Sequence, residues 1–548
     1  MRPLQLVCAL VAALCTLAAA PAQVHVVGHR WGFDNTATPG SFNLLTLEVR
    51  NDTSSDYDGG VTVYPVRSLM DAGVQHTIRC FLRPGEARQV ATSVWLADAT
   101  AEARVHVLGG KLLEIMPPKV GGTGAQVLLV PKNATPTAGL QVHAYDETTF
   151  PSSLAALDTL RGVVLDHVPE MLEAQRRTLI DWLHAGGTVH VFQDIGGFPR
   201  FDGDLAVLSG EQAEQRVGAG CILRYSRTLT SAPYTLRKRS AASLPRPVGL
   251  HAIAQRLGEV LRPEHNWLVI YLLITAFFVA TVPVLAYLQQ RLGPLTNTAI
   301  LLALVAVFSW AIVTVGRRGY GERSRVLSVS HIRGLGRGRF DVCQWKSVFS
   351  TTSQRYAIHH DAGGSTYAAP GPDRVSAFTP PGRTALLLDV PLFTAQPFLH
   401  RGTFTGDPVA VTSDTDERGS KTLRWDGPKV LRAYLVRSGQ VTTLRVRGNE
   451  LVDEGAATDP HVLMAQTMYV RSGRARRSVQ AQIADQAISA LLAAEFPRQV
   501  RRKPTRRRSS SPTRLLVFCD PPQQLAAKGE GVGEETGVAI YDLMLEAD

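Results

Sequence analysis

The chain has 548 residues and a formal net charge of +11 at pH 7, with 45% hydrophobic and 19% charged residues. One hydrophobic core stops growing at about 250–300 residues, so this length predicts several domains and excludes a single small module. Eight of the positive charges lie in an acid-free tract between Arg498 and Arg514, which leaves +3 for everything else. The basicity is local, and the sequence therefore predicts no nucleic-acid partner.

Residues 1–22 predict a signal peptide. Arg2 precedes an apolar run over 6–20, and the small residues of "APA" at 20–22 are suited to cleavage before Gln23. A buried N-terminal helix is the alternative. We expect the chain to be exported.

Residues 23–117 predict an immunoglobulin-like β-sandwich. "NLLTLEVRND" alternates apolar and polar residues before a turn, and "GGVTVYPVRS" and "ARVHVLGG" follow with similar patterns. Short strands separated by Gly, Pro and Asn turns are typical of such sandwiches, which usually space or bind other proteins.

Residues 118–230 predict an α/β domain with a flavodoxin-like parallel sheet. "QVLLVP", "LQVHAY", "RGVVLDHV" and "TVHVF" are apolar runs of the parallel-strand type. "EAQRRTLIDWLH", over 173–184, predicts a helix that Gly186-Gly187 ends. Strands that alternate with helices indicate an open sheet with helices on both faces.

The ends of these strands supply the candidate site residues. Ligands of open parallel sheets bind beyond the carboxyl ends of the strands, where Asp166 and His167 follow one run and Gln193 and Asp194 follow another. Asp166, Gln193 and Asp194 are the candidate ligand-facing residues, although acids at strand ends more often cap the next turn.

No catalytic, cofactor-binding or metal-binding residue is predicted. A class I glutamine amidotransferase has a nucleophilic cysteine after the strand that corresponds to "TVHVF", and the Gln193-Asp194 pair cannot replace a thiolate. Cys221 falls within a later strand. The sequence therefore predicts a domain that is not an enzyme.

Two charge-free stretches, 266–290 and 295–316, predict transmembrane helices joined in a tight hairpin, after a linker over 231–265. Pro283 lies inside the first and is expected to kink it. A hairpin returns the chain to the side it left, so both large regions are expected outside the cytoplasm. Arginines after the second span oppose this orientation by the positive-inside rule.

The rest of the chain predicts a β-rich domain over 321–473, an amphipathic helix over 474–497, a basic disordered tract over 498–514 and strands over 515–548. His359, His360 and Asp361 are metal-ligand types, but neighbouring strand residues point to opposite faces, which favours an exposed loop. The arginine tract is a candidate contact for anionic lipid headgroups or an acidic partner.

This order of segments resembles a group of uncharacterised bacterial membrane proteins with a periplasmic class I glutamine amidotransferase-like domain that lacks the catalytic cysteine. The matching stretches are "FNLLTLEVRND", "GVVLDHVPEMLEAQRRTLIDWLHAGGTVHVF" and "NWLVIYLLITAFFVATVPVLAYLQQRLGP". The resemblance implies a role in the cell envelope at the bacterial inner membrane, sometimes beside von Willebrand-type and AAA ATPase partners, and it supplies no substrate.

Three functions remain from the sequence. The first is a non-enzymatic envelope protein, anchored in the lipid bilayer, that scaffolds or binds protein partners. The alternatives are a ligand-binding sensor that uses Asp166 and Asp194, and a diverged hydrolase. None of the three implies a cofactor.

Overall fold

A computed structural model describes most of the chain after residue 22. The described residues are 23–67, 70–71, 73–96, 102–107, 112–115, 119–120, 124–132, 142–194, 196–226, 228, 253, 257–258, 260, 267–289, 293–320, 324–369, 374–378, 384–415, 421–437, 440–469, 478–495 and 513–545. The predicted signal peptide, most of the predicted linker and residues 498–512 of the basic tract lie outside them.

The described part is mostly β-structure, with thirty strands, and five α-helices have defined bounds within it. The helices are α1 Glu173–His184, α2 Trp267–Gln289, α3 Pro294–Tyr320, α4 Pro460–Tyr469 and α5 Val479–Glu495. The strands before α2 are β1 Val24–Trp31, β2 Thr36–Ala37, β3 Ser41–Asn51, β4 Tyr57–Arg67, β5 Met70–Asp71, β6 Gly73–Leu82, β7 Ala87–Leu96, β8 Glu102–Val107, β9 Leu112–Ile115, β10 Lys119–Val120, β11 Ala125–Val130, β12 His143–Asp146, β13 Leu160–Leu165, β14 Thr188–Phe192, β15 Glu214–Val217 and β16 Gly220–Tyr225. The strands after α3 are β17 Arg325–Gly336, β18 Arg339–Ser350, β19 Gln354–His359, β20 Gly363–Ala368, β21 Arg374–Phe378, β22 Ala385–Val390, β23 Thr394–Thr405, β24 Ala410–Thr415, β25 Lys421–Asp426, β26 Val430–Arg437, β27 Gln440–Arg447, β28 Glu450–Thr458, β29 Thr513–Cys519 and β30 Glu534–Leu545.

Two N-terminal sheets pack against each other. One has the order β1-β3-β7, and the other contains β6, β4, β8 and β9. Trp31 and Leu47 of the first share a buried core with Val63 and Leu82 of the second. The alternating pattern of "NLLTLEV" produces this arrangement, because every second side chain of a strand faces the same way.

A six-stranded sheet follows, with the order β12-β11-β13-β14-β16-β15. Its first five strands are parallel, and β15 is an antiparallel edge. The predicted helix is present as α1, and Gly187 follows it where any side chain would overlap the ring of Trp182, which lies 2.5 Å from an ideal Cβ. The expectation of helices on both faces is not met in the described connections. Apart from α1, they contain short 3₁₀ segments, Leu154–Leu157 and Gly203–Leu208 among them.

The region after α3 is built on an eleven-stranded sheet with the order β20-β23-β18-β17-β30-β29-β26-β27-β28-β25-β24. Helix α5 packs on it, with Ile483 and Ile488 in one core with Phe518 and Ile540. These two isoleucines belong to the apolar stripe that the sequence predicts for this helix. Helix α4 lies within the segment for which only β-structure is predicted.

One sheet joins the regions before and after the apolar helices. Strand β21 pairs in parallel with β6, from Arg374 opposite Gly73 to Phe378 opposite Thr77. The sheet order is therefore β19-β22-β21-β6-β4-β8-β9. The sequence-based boundaries at 117 and 321 separate strands that the fold connects by hydrogen bonds.

The apolar helices α2 and α3 contact each other, with the rings of Phe277 and Phe308 edge-on at 5.3 Å. Among the described residues, one helical segment, Pro294–Thr314, is long and apolar enough to cross a membrane, and Tyr271–Pro283 is a shorter apolar segment. Leu302 and Trp310 of α3 are 64% and 70% exposed.

Arg514 corrects the prediction for the end of the basic tract. It lies in strand β29 and is buried, with its Nη2 2.8 Å from Oδ2 of Asp542. Composition alone assigned this residue to the disordered tract, but a buried carboxylate on the neighbouring strand holds it in the sheet.

Candidate functional site

The candidate site lies at the carboxyl edge of the parallel sheet. The register places Leu165 opposite Val191, so the residues after β13 and β14 emerge side by side. Strand β12 ends at the same edge with Asp146, opposite Val130 of β11. The topology thus brings three polar segments to the position where open parallel sheets bind ligands.

His167 connects two carboxylates at this edge. Its Nδ1 lies 2.8 Å from Oδ1 of Asp166, and its Nε2 lies 2.9 Å from Oε2 of Glu147. Glu147 is buried, whereas Asp166 and His167 are partly exposed. We call these three residues the Glu147–His167–Asp166 cluster.

The cluster favours the protonated imidazole. The hydrogen bond to Asp166 raises the pKa of His167 above its ordinary value of 6.5, burial opposes the rise, and Glu147 adds to it. A neutral imidazole has one N–H, but the imidazolium donates from both nitrogens and satisfies both carboxylates. The cluster therefore links the segment after β12 to the segment after β13 by charged hydrogen bonds.

Gln175 of α1 strengthens the same edge. Its Nε2 donates to the carbonyls of Thr148 at 3.0 Å and Phe150 at 2.7 Å, and its Oε1 accepts from the amide of Leu172 at 2.8 Å. The side chain closes the first turn of the helix and also fixes the segment that carries Glu147. The edge is held by bonds between loops that are distant in sequence.

The other two predicted site residues form a turn. The amide of Gln193 donates to the carbonyl of Tyr225 at 3.3 Å, and Asp194 and Gly197 exchange backbone hydrogen bonds of 2.9 and 3.1 Å. Asp194 is exposed and Gln193 is partly exposed. The described hydrogen bonds of these two residues do not join them to Asp166, so the predicted trio divides into a cluster and a turn.

The nearby cysteine and histidine are poor candidates for catalysis. Burial, followed by the charge of Glu214, raises the pKa of the Cys221 thiol to about 11, so the sulfur stays protonated at neutral pH. His190 is fully buried, its Nδ1 lies 3.1 Å from the Tyr225 hydroxyl, and burial lowers its pKa to about 4.

Sequence reasoning missed Glu147, although the same rule about strand ends applies to it, because "LQVHAY" is followed directly by Asp146 and Glu147. It also placed His360 in an exposed loop, and that expectation is wrong. His360 is buried and its ring stacks on that of His400 at 3.9 Å. The stacking partner lies 40 residues further along the chain, where local patterning gives no indication of it.

The C-terminal end of helix α1 contacts the region after α3. Arg339 of β18 donates to both carboxylate oxygens of Asp181, at 2.9 and 2.7 Å. Arg333 donates to the carbonyl of Ala185 at 3.3 Å, and the His184 ring lies beside Gly336. Residues 181–187, which end the helix before "TVHVF", therefore form an interface between two regions of the chain.

We expect the His167 imidazole to titrate above pH 6.5, and Glu147→Gln to lower the midpoint, because a neutral amide stabilises the imidazolium less than a carboxylate does. Nuclear magnetic resonance of protein selectively labelled at histidine measures this midpoint. Glu170→Gln, at an exposed acid nearby, is the control and should leave it unchanged. Equal midpoints in the wild type and Glu147→Gln would contradict the bridging role.

Within the described part of the chain, no group of three or more His, Cys, Asp or Glu residues is arranged to hold a metal ion.

No protein-family model matches the chain, and no curated protein matches it.

Solved structures give weak likenesses. An alkylpurine DNA glycosylase, AlkC, of Pseudomonas fluorescens, bound to DNA with an abasic-site analogue, matches at 16% identity and a TM-score of 0.14, over 19% of this chain and 33% of that one. A cycloisomaltooligosaccharide glucanotransferase of Paenibacillus sp., in complex with cycloisomaltoheptaose, matches at 12% identity and a TM-score of 0.16, over 32% of this chain and 28% of that one. Both matches span about a third or less of the other protein, and neither bears on fold or function.

Proposed function

We propose that the chain is a membrane-anchored protein of the bacterial cell envelope whose regions before α2 and after α3 form one body on the periplasmic side. This body binds or scaffolds protein partners and does not catalyse a reaction. The pairing of β6 with β21 is the observation that carries the single body on one side of the membrane. Strands cannot exchange backbone hydrogen bonds across a bilayer, so the chain between them crosses an even number of times.

Two crossings by a hairpin of α2 and α3 satisfy this requirement. Leu302 and Trp310 expose apolar surface that water does not favour and that hydrocarbon accepts. The contact between Phe277 and Phe308 supports a hairpin. With an exported N-terminus, the same topology puts the C-terminal region in the periplasm despite the arginines after α3.

The geometry of His167 supports a binding role over hydrolysis. In a Ser-His-Asp triad, one imidazole nitrogen faces a carboxylate and the other accepts the proton of the nucleophile. Here both nitrogens face carboxylates, so neither is available to a nucleophile. The resemblance to amidotransferase-like domains without their cysteine agrees with this assignment.

Impermeant maleimide labelling of introduced, exposed cysteines in cells tests the topology. In a Cys221→Ser background, Ser54→Cys and Asp407→Cys place exposed thiols before α2 and after α3. We expect both to react when only the outer membrane is permeable. Labelling of one site before lysis and of the other only after it would contradict the single body. Labelling of both only after lysis would place that body in the cytoplasm. Crosslinking in native membranes then identifies the partners.

A ligand-binding sensor is the second candidate, and the Glu147–His167–Asp166 cluster favours it. The cluster lies at the sheet edge used by ligands, and Leu172 beside it is an exposed apolar side chain. A small polar ligand at this edge should move the His167 midpoint. A ligand that shifts the melting temperature without moving that midpoint binds elsewhere.

A further inference from the structure

The turn between β22 and β23 exposes two large apolar side chains. Leu392 is 52% exposed and Phe393 is 44% exposed. The backbone of Phe393 has a φ of +56°, a left-handed conformation that an aromatic residue rarely adopts. The Phe393 amide donates to the Ser350 carbonyl at 2.9 Å, and the Thr394 hydroxyl donates to the Pro391 carbonyl at 2.8 Å. The turn is therefore fixed in a strained form in which about half of each of the two residues is exposed.

The sheet register places this turn at the end of the eleven-stranded sheet where the chain leaving helix α3 begins strand β17. Arg325, the first residue of β17, pairs with Phe349 of β18, and the adjacent Ser350 pairs with Thr394 of β23. Four residues lie between Tyr320, the last of α3, and Arg325, so the chain spans at most about 18 Å from one to the other. The exit of α3 and the Leu392-Phe393 turn thus lie at the same end of the eleven-stranded sheet.

The opposite end of the sheet provides the contrast. Strand β17 has 12 residues, and at about 3.3 Å per residue it extends roughly 36 Å. At the far end of the sheet, Arg339 of β18 pairs with Thr405 of β23, and the exposed Asp407 follows two residues later. This far end also holds the contact of Arg339 with Asp181. The parallel sheet is thereby held away from the end at which α3 enters.

We infer that the Leu392-Phe393 turn inserts into the interfacial layer of the lipid bilayer and fixes the tilt of the periplasmic body relative to α3. This inference rests on the proposed membrane anchorage. Leucine and phenylalanine gain from leaving water, and a rigid turn loses little conformational freedom on insertion. A bilayer is the occupant that the continuity of α3 with β17 supplies at this end of the sheet.

Fluorescence of the full-length chain in phosphatidylethanolamine–phosphatidylglycerol vesicles tests the inference. An environment-sensitive nitrobenzoxadiazole label is attached to Leu392→Cys, Asp407→Cys or Leu302→Cys, each in the Cys221→Ser background, and quenched by doxyl-labelled lipids. We expect quenching at 392 to be at least threefold stronger than at 407, and strongest at 302. Phe393→Asn in the Leu392→Cys background should reduce quenching at 392 at least twofold, because it removes the apolar ring. The turn should keep its backbone form, since asparagine tolerates a positive φ.

The three positions separate the possible failures. If lipid quenches the label at 302 but quenches the label at 392 no more than that at 407, the insertion is overturned and the membrane anchor is kept. The turn would then be a contact site for protein. A label at 302 that lipid does not quench overturns the proposed anchorage and the insertion together.

Discussion

Replacement of Asp542 by asparagine is expected to lower the free energy of unfolding by about 3–5 kcal/mol, because it removes the carboxylate that faces two buried guanidinium groups. Asp542 of β30 is fully buried. Its oxygens lie 3.1 Å from Nε of Arg333, 3.0 and 2.8 Å from Nε and Nη2 of Arg514, and 3.0 Å from Nε2 of His331. Burial alone would raise the pKa of Asp542, but Arg514 and Arg333 outweigh it and hold that pKa well below 3.8.

A surface pair with similar geometry is the control for Asp542. Arg355 donates to both oxygens of Asp389, at 2.7 and 2.9 Å, and both side chains are exposed. Asp389→Asn should cost less than about 1 kcal/mol, because water already solvates both charges. Urea unfolding of the two purified variants compares them. Similar losses in both would show that burial does not decide the strength of the Asp542 network.

Local patterns predicted the elements of the parallel sheet well. The continuous apolar runs "QVLLV" and "TVHVF" became β11 and β14, and the helix over 173–184 begins and ends where the sequence indicates. These features depend on neighbouring residues alone: apolar runs for buried strands, and Gly186-Gly187 for the helix end. The parallel strands and the helix of this segment were therefore accessible from local sequence, whereas the expected helices on both faces of the sheet were not met in the described connections.

Long-range pairings were not accessible in the same way. The segment "RVSAF" of β21 reads as an ordinary strand, and nothing within it indicates a partner about 300 residues earlier in β6. The contact of His167 with Glu147 also spans 20 residues and requires the strand order β12-β11-β13. Sequence patterns identify which side chains are able to pair, whereas the sheet order determines which of them do.

The same distinction applies to the "WLHAGG" stretch over 182–187, which ends helix α1. Its local pattern indicates a helix end and a glycine turn, and nothing within it indicates a distant partner. The bidentate bond between Asp181 and Arg339 shows that it faces the C-terminal region. Burial raises the pKa of Asp181, and Arg339 opposes the rise. The Asp181–Arg339 ion pair is therefore partly buried in the interface between the two regions.

Acidification from pH 6.5 to pH 4 is expected to destabilise the fold by several kcal/mol. Burial lowers the pKa of both His76 and His190 to about 4, and it lowers the pKa of His360 and His400 well below 6.5. These imidazoles are neutral in the folded chain, whereas the unfolded chain takes up protons near pH 6.5. Their contribution is therefore complete above pH 6.5 and is lost as the pH falls towards 4.

The two histidines with a pKa of about 4 set the scale, because a shift of this size corresponds to a loss on the order of 3 kcal/mol for each by pH 4. His167 works in the opposite sense, since its raised pKa contributes stability below pH 6.5 that is lost as the pH rises through the folded value. The four buried histidines outnumber His167, so the chain is expected to lose stability overall on acidification.

Urea midpoints measured between pH 7.5 and pH 4.5 test this slope. His190→Gln removes one buried imidazole and should make the slope shallower by the uptake of about one proton in this range. Tyr225→Phe is the matched control, because it removes the hydroxyl 3.1 Å from His190 without removing the titrating group. It should lower stability at every pH and keep the wild-type slope. If His190→Gln also kept that slope, the buried imidazole would not be a source of acid sensitivity, and proton uptake would have to be assigned to groups outside the parallel sheet.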